Sequence, residues 1–197
     1  MPPPIVAHHI IFTTYGFWLP NDPRGSWSDF VRCWEIFLHG YATKTDEHRS
    51  LAHDPHDRAK RLEAKQSLRY EPVRFTGLQA RAAARGFARA VEESKYDVFA
   101  CTVMRNHVHA VVGKHEHPAE RIIGHLKSRA TQELKTEGLH PFCYVDQENP
   151  PCIWARRGWK VFLHTDEEVD RAIEYVEKNP EKEGLKEQHW NFVSSTC

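Results

Sequence analysis

Apolar positions along the chain change period in a way that marks out its elements. Residues 5–14, IVAHHIIFTT, are rich in β-branched and aromatic side chains and predict a strand. From Thr76 the period becomes helical: Ala80, Ala84, Phe87, Ala88 and Val91 recur on one face and predict a helix over 76–93. The runs YDVFACTVM and HVHAVVG then read as two strands separated by Arg105-Asn106. Asparagine tolerates a left-handed turn, so a tight hairpin is expected there. Pro118 opens the next helix, with Ile122, Ile123, Leu126, Ala130 and Leu134 as its buried stripe and Gly138 as its stop. After a loop carrying Pro141, Pro150 and Pro151, the run WKVFLHT predicts a last strand. It leads into a helix from Asp166 to Asn179, with Thr165 and Glu168 as a capping box and Pro180 as its end.

Between the first strand and Thr76 the pattern is less regular. The segment YGFWLPNDPRGSW holds prolines, glycines and an Asn-Asp pair, which predicts a structured loop. Its aromatics Tyr15, Phe17, Trp18 and Trp27 are too many for a solvated linker. Residues 28–72 read as an insertion, with one short apolar helix near 28–38 and a charged one near 55–68 that starts at His53-Asp54-Pro55-His56-Asp57. The order strand, helix, strand, strand, helix, strand, helix predicts an α+β fold. It is that of a ferredoxin-like βαββαβ sandwich with an antiparallel sheet, followed by a C-terminal helix that carries a tyrosine. The whole of 1–197 is expected to form one domain interrupted by the insertion.

Composition adds exclusions. The chain has 197 residues, 40% hydrophobic and 27% charged, with 27 basic and 27 acidic side chains in formal balance. Such a balance argues against general nucleic-acid affinity but leaves room for a local basic patch. No stretch is long and apolar enough to span a membrane, and the first residues lack the layout of a signal peptide. Five cysteines form no CxxC pair, and an odd number makes a poor disulfide framework. A reduced, cytoplasmic protein without a membrane partner is the expectation.

Two places carry candidate chemistry. His107 and His109 stand two apart in a strand, so their side chains share a face, and paired imidazoles can ligate one divalent ion. A strand that simply contains two histidines has the same pattern. On the last helix Tyr175 and Asn179 are one turn apart, at the edge of the apolar stripe Val169, Ala172, Ile173 and Val176. Tyr175 can act as a nucleophile and Asn179 can offer an amide oxygen to a hard cation. Equally, Tyr175 is an ordinary boundary aromatic and Asn179 a helix C-terminal residue.

RNHVHAVV resembles the histidine–hydrophobe–histidine strand of the HUH nucleases, and YVEKNP resembles the tyrosine helix of their single-tyrosine branch. The chain is most similar to the IS200-like transposases, in particular the REP-associated tyrosine transposases. IWARRGWKVFLHTDEEVDRAIEYVEKNP shares the layout of the segment that leads into and across the tyrosine helix, and HHIIFTTYGFWLPNDPRGSW resembles the opening of one subgroup. The resemblance implies a DNA-nicking and strand-joining enzyme. In it His107, His109 and Asn179 hold a divalent ion, Mg²⁺ or Mn²⁺, that stabilises charge on the scissile phosphate. It also implies that Tyr175 attacks that phosphate, leaving a 5′-phosphotyrosine and a free 3′-hydroxyl. The turn before the first histidine departs from the usual pattern, reading Met104-Arg105-Asn106 where the family commonly has a proline; Arg105 could meet phosphate there.

Trp154, Arg156, Arg157, Trp159 and Lys160 interleave aromatic and cationic groups ahead of the tyrosine helix. They suit stacking on unpaired bases and neutralising phosphates, or else a core with a solvated rim. Lys127 and Arg129 on the preceding helix are candidates for the same surface. The loop with Tyr15, Trp18, Asn21, Asp22, Arg24 and Trp27 suits a nucleic-acid groove or plain packing. By resemblance the partner is single-stranded DNA with hairpin or palindromic repeats, and both monomeric and homodimeric relatives exist. A protein that binds hairpins without cutting is the alternative function. A hydrolase in which the histidines activate water and Tyr175 is structural is a third reading.

Overall fold

The computed structural model of the chain describes residues 3–26, 28–45, 51 and 54–194. They fall into two compact units, one made of the residues up to Thr14 with those from Arg74 onward, the other of Tyr15–Val73.

The first unit is built on a four-stranded antiparallel sheet of β1 (Ala7–Thr14), β2 (Val98–Val103), β3 (His107–Gly113) and β4 (Trp154–Leu163), in the order β2-β3-β1-β4. β1 pairs with β3 from Ala7↔Gly113 to Thr13↔His107, and with β4 on its other side. Helices α3 (Gly77–Ser94) and α4 (Ala119–Thr136) pack on each other. They cover the sheet face that presents Phe12, whose ring meets Phe87 at 5.9 Å and Trp154 at 5.4 Å. The opposite face is covered by α5 (Asp166–Glu177), where Val169, Ala172, Ile173 and Val176 join Ala7, Ala100, Val111 and Leu163 in one apolar cluster.

The stripe foreseen on α4 is buried throughout. On α3 the buried face is instead Ala82, Ala83, Ala84, Gly86, Phe87 and Ala90, while Ala80, Ala88 and Val91 stay partly exposed. The cause is a close helix crossing: a Cβ on Gly86 would lie 2.5 Å from the backbone of Ala130. Contact at that distance turns toward α4 the side of α3 that lacks bulk. Strand β4 starts at Trp154 rather than Trp159. It continues past an irregularity in its pairing with β1 between Phe12 and Thr14, and Gly158 makes this possible. A Cβ at Gly158 would come 2.9 Å from the Ile11 carbonyl oxygen.

Three local details differ from the expected ones. The Arg105-Asn106 turn closes with Met104 N–H donating to the His107 carbonyl at 2.8 Å. It needs no left-handed residue, since Lys95 is the one non-glycine residue with positive φ among those described. Thr165 Oγ1 accepts from Glu168 N–H, but the Glu168 carboxylate caps His164 N–H rather than Thr165. Pro180 does not end the last helix; it sits in the first turn of a further short helix, α6 (Asn179–Lys182), where a missing N–H costs nothing.

Beyond α6 the chain runs along the outer edge of β2. The Gln188 side chain accepts from Val103 N–H at 2.8 Å and donates to the Val103 carbonyl at 3.0 Å, and Ser194 N–H donates to the Val98 carbonyl at 2.8 Å. A side-chain amide thus completes an edge that would otherwise expose its polar groups.

The second unit holds α1 (Trp34–Phe37) and α2 (Arg58–Gln66), both shorter than foreseen, with a small core of Leu19, Ile36 and Ala64. Asp57 caps α2. The loop after β1 is packed rather than open: Asn21 and Asp22 are buried, Trp18 Nε1–H donates to the Gly25 carbonyl, and the Arg24 guanidinium lies 3.8 Å over the Trp18 ring. Val73 N–H donates to the Tyr15 carbonyl at 2.9 Å, so the ends of this unit meet. Trp27 and His53 lie outside the described residues. No described helix is long and apolar enough to cross a membrane. Cys33, Cys101, Cys143 and Cys152 are free thiols.

Candidate active site

The register of β1 against β3 decides what surrounds the histidine pair. Ile11 stands opposite His109, Thr13 opposite His107 and His9 opposite Val111. Directly opposed residues share a face, so His9, His107 and His109 all point to the side covered by α5. The His107 and His109 rings are 4.9 Å apart at 79°. His9 Nε2 lies 3.0 Å from His109 Nδ1. Tyr175, on α5, brings its ring within 5.7 Å of His109 and 5.8 Å of His9. The structure therefore gathers His107, His109 and Tyr175, and adds His9.

Tyr175 is 42% exposed, whereas His109 is 5% exposed and Asn179 7%. The phenol stands at the mouth of a site whose floor is closed by the sheet. Lys182, on α6, holds its ammonium 4.3 Å over the Tyr175 ring. A cation there attracts anions approaching the phenol.

Burial fixes the charge state of the imidazoles. It pushes His9 and His107 down to about 4, and His109 well below its ordinary range, with the neighbouring histidines and Lys182 adding to the effect. All three are neutral at pH 7, the form that can donate a lone pair to a metal. His107 Nδ1 lies 2.7 Å from Asn106 Oδ1. An amide oxygen only accepts, so Nδ1 carries the proton and Nε2 the lone pair.

Two further buried polar atoms lie among these elements without a partner. Thr102 Oγ1 belongs to the residue opposite His109 on β2, and Asn179 Nδ2 to the first residue of α6. A buried amide or hydroxyl left unbonded costs free energy; the Asn179 N–H needs an acceptor such as water, and only an oxygen lone pair, on Asn179 Oδ1 or Thr102 Oγ1, can face a cation. Among the described residues no three His, Cys, Asp or Glu side chains converge on one point. An ion held here therefore draws on the histidine pair and on a neutral oxygen such as the Asn179 amide. That set joins imidazole nitrogen to a neutral oxygen, and a divalent first-row cation can take both.

The residues foreseen as DNA contacts separate into groups. Trp154 is 5% exposed; its indole N–H donates to Thr131 Oγ1 and the Lys127 carbonyl, and its ring packs on Phe12 and Phe75. That is the core reading of this tryptophan. Lys127 is buried on the same side, donating to the Ala155 and Arg157 carbonyls at 2.8 and 3.1 Å, so it fastens β4 from beneath. Lys160 pairs with Glu120, and Arg129 pairs with Glu93 at 2.7 Å. Arg105, Arg156 and Arg157 are exposed. Trp159 stands opposite Ile11, on the face and in the cross-strand row of His109, and is half-buried.

Sequence reasoning missed His9, Asn106 and Lys182. Period-two spacing reveals His107 and His109 within one strand, but His9 joins them only through cross-strand register. Lys182 follows a proline that reads as a stop.

A solved structure of a REP-associated tyrosine transposase bound to a REP hairpin is similar to 94% of this chain and 73% of that one, at 11% identity and a TM-score of 0.49. No family model matches the chain, and no curated protein matches it in sequence.

Proposed function

We propose that this chain is a metal-dependent enzyme that nicks and rejoins single-stranded DNA through a covalent bond to Tyr175. The observation that carries this reading is the half-exposed phenol set 5.7 Å from the buried, neutral His109 ring, with the neutral His107 ring of the same HxH strand 4.9 Å beyond it. A structural boundary tyrosine needs no such neighbours. The order β2-β3-β1-β4, with crossover helices α3 and α4 on one face, supports reading this unit as a ferredoxin-like βαββαβ sandwich. On this reading the tyrosine-bearing α5 is an addition to its other face, and 1–197 is one such domain with the segment between β1 and α3 inserted.

His107 and His109 would hold a divalent ion through Nε2, with Asn179 as the third protein ligand; the ion would supply charge stabilisation at the scissile phosphate. The Tyr175 phenol oxygen attacks phosphorus, the bond from phosphorus to the 3′ oxygen breaks, the phenol loses its proton and the departing 3′ oxygen gains one. A second 3′-hydroxyl reverses the same exchange, so joining needs no nucleotide cofactor. Lys182 and the exposed Arg156 and Arg157 supply cations for the strand's phosphates, and Trp159 lies on the face where an unpaired base would enter. The preferred substrate is a single strand beside an imperfect hairpin.

The test is covalent trapping. Labelled single-stranded hairpin DNA incubated with the protein and Mn²⁺ should give a denaturation-resistant adduct that disappears in Tyr175→Phe. Cleavage that persists in that variant would remove Tyr175 as nucleophile and favour hydrolysis. Hairpin binding with neither adduct nor cleavage would favour a binding protein.

A further inference from the structure

We infer that His9 is a positioning residue for His109, accepting the Nδ1–H of that ring at its own Nε2 and so keeping the Nε2 lone pair of His109 available. The inference rests on the proposed metal site only for the use to which that lone pair is put. His9 Nε2 and His109 Nδ1 are 3.0 Å apart and both rings are buried and neutral, so one proton lies between them. There are two arrangements. If His9 donates, His109 spends its Nδ1 lone pair on the bond and carries its proton on Nε2, where it cannot ligate. If His109 donates, its Nε2 is unprotonated, the same tautomer that Asn106 imposes on His107 at 2.7 Å. Which ring nitrogen is protonated is set by the hydrogen bond the other one makes.

The second arrangement is the one in which each histidine of the pair has its own acceptor, Asn106 Oδ1 for one and His9 Nε2 for the other, so that both present the same nitrogen. The ring of His9 is also held edge-on to Tyr175 at 64°, so packing as well as pairing keeps its Nε2 on His109. No neighbour in the sequence advertises this role, because the two histidines meet across β1 and β3.

The test reads tautomers directly. Long-range ¹H–¹⁵N NMR of the metal-free protein distinguishes protonated from unprotonated ring nitrogens, and His109 is expected to carry its proton on Nδ1. His9→Gln keeps an acceptor at the Nε2 position and should preserve that pattern together with Mn²⁺ affinity measured by calorimetry. His9→Leu removes the acceptor; His109 should shift toward Nε2–H and Mn²⁺ affinity should fall about 10–100-fold, the loss typical of an outer-shell partner. A wild-type His109 protonated on Nε2 overturns the inference even if the leucine variant does not fold. So does a His9→Leu protein that binds Mn²⁺ as tightly as wild type. A wild type that binds no Mn²⁺ yet shows His109 Nδ1–H refutes the metal-dependent reading and leaves the role of His9 standing.

Discussion

His9, His107 and His109 are neutral because the fold buries them, and their neutrality must show in folding. Their native pKa values lie below the unfolded value of 6.5, so between those values the unfolded chain binds more protons. Stability contributed in this way is present above about pH 6.5 and is lost as pH falls toward 4, by about 1.4 kcal/mol for each unit of depression in a fully coupled group. Urea midpoints of the metal-free protein measured from pH 7.5 to 4.5 should fall steadily across that window. Replacing all three histidines by glutamine should flatten the slope, and an unchanged slope would place the titrating groups elsewhere. Lys127 and Arg156 should separate stability from binding. Lys127→Ala strips an aliphatic stem from the core and removes the ammonium from which two carbonyls of β4 accept, a loss of about 1–3 kcal/mol. Arg156→Ala, at an exposed position, should leave the melting temperature unchanged and weaken single-strand binding, with a shallower salt dependence. The HxH pair and the one-turn Tyr175–Asn179 pair were visible in the spacing, but spacing alone left a plain strand and a boundary aromatic as open readings. What was not legible was which cations face solvent, since the same strand puts Lys127's acceptors on one side and Trp159 on the other.

At the scale of elements, the strands and the two long helices of the first unit were readable because each is locally consistent in period and cap. The errors fall where tertiary contact overrides pattern. β4 begins early because its pairing with β1 resumes at Trp154, beyond an irregularity that takes in Ala155, Arg156 and Arg157 and that propensity reads as loop. The buried face of α3 is set by how closely α4 approaches Gly86, a fact absent from α3 itself. This gives a prediction against propensity. Alanine is about 1 kcal/mol better than glycine inside a helix, but a Cβ at 2.5 Å from the Ala130 backbone forces the helices apart at a cost of about 1–3 kcal/mol. Gly86→Ala should therefore lower the melting temperature, whereas Gly124→Ala, on the open side of α4, should hold or raise it. A Gly86→Ala protein more stable than wild type would mean that the crossing is looser than described.

For the molecule as a whole, the two ends of the second unit, Tyr15 and Val73, are joined by a backbone hydrogen bond. It also has its own apolar cluster. Replacing residues 16–72 by a short glycine-serine turn should thus leave the first unit folded, with a single cooperative thermal transition and the His9–His109 tautomer signature intact. A molten or aggregated product would show that the sheet depends on the segment. The sequence reading put an insertion at about 28–72, whereas the compact unit begins at Tyr15 and takes in the aromatic loop.

The fastening of Gln188 to Val103 has a kinetic corollary. The Val103 amide proton is protected by a side chain of the tail and not by a neighbouring strand, so its hydrogen exchange reports undocking of the tail. Amides of β2 that face β3 report opening of the sheet. The tail continues directly from α6, so a release at Gln188 is expected to slacken the turn that carries Asn179 and Lys182. The Val103 amide is thus a remote gauge of how firmly the far side of the tyrosine site is held: it should exchange faster than the amides facing β3, and at a common rate with those of α6.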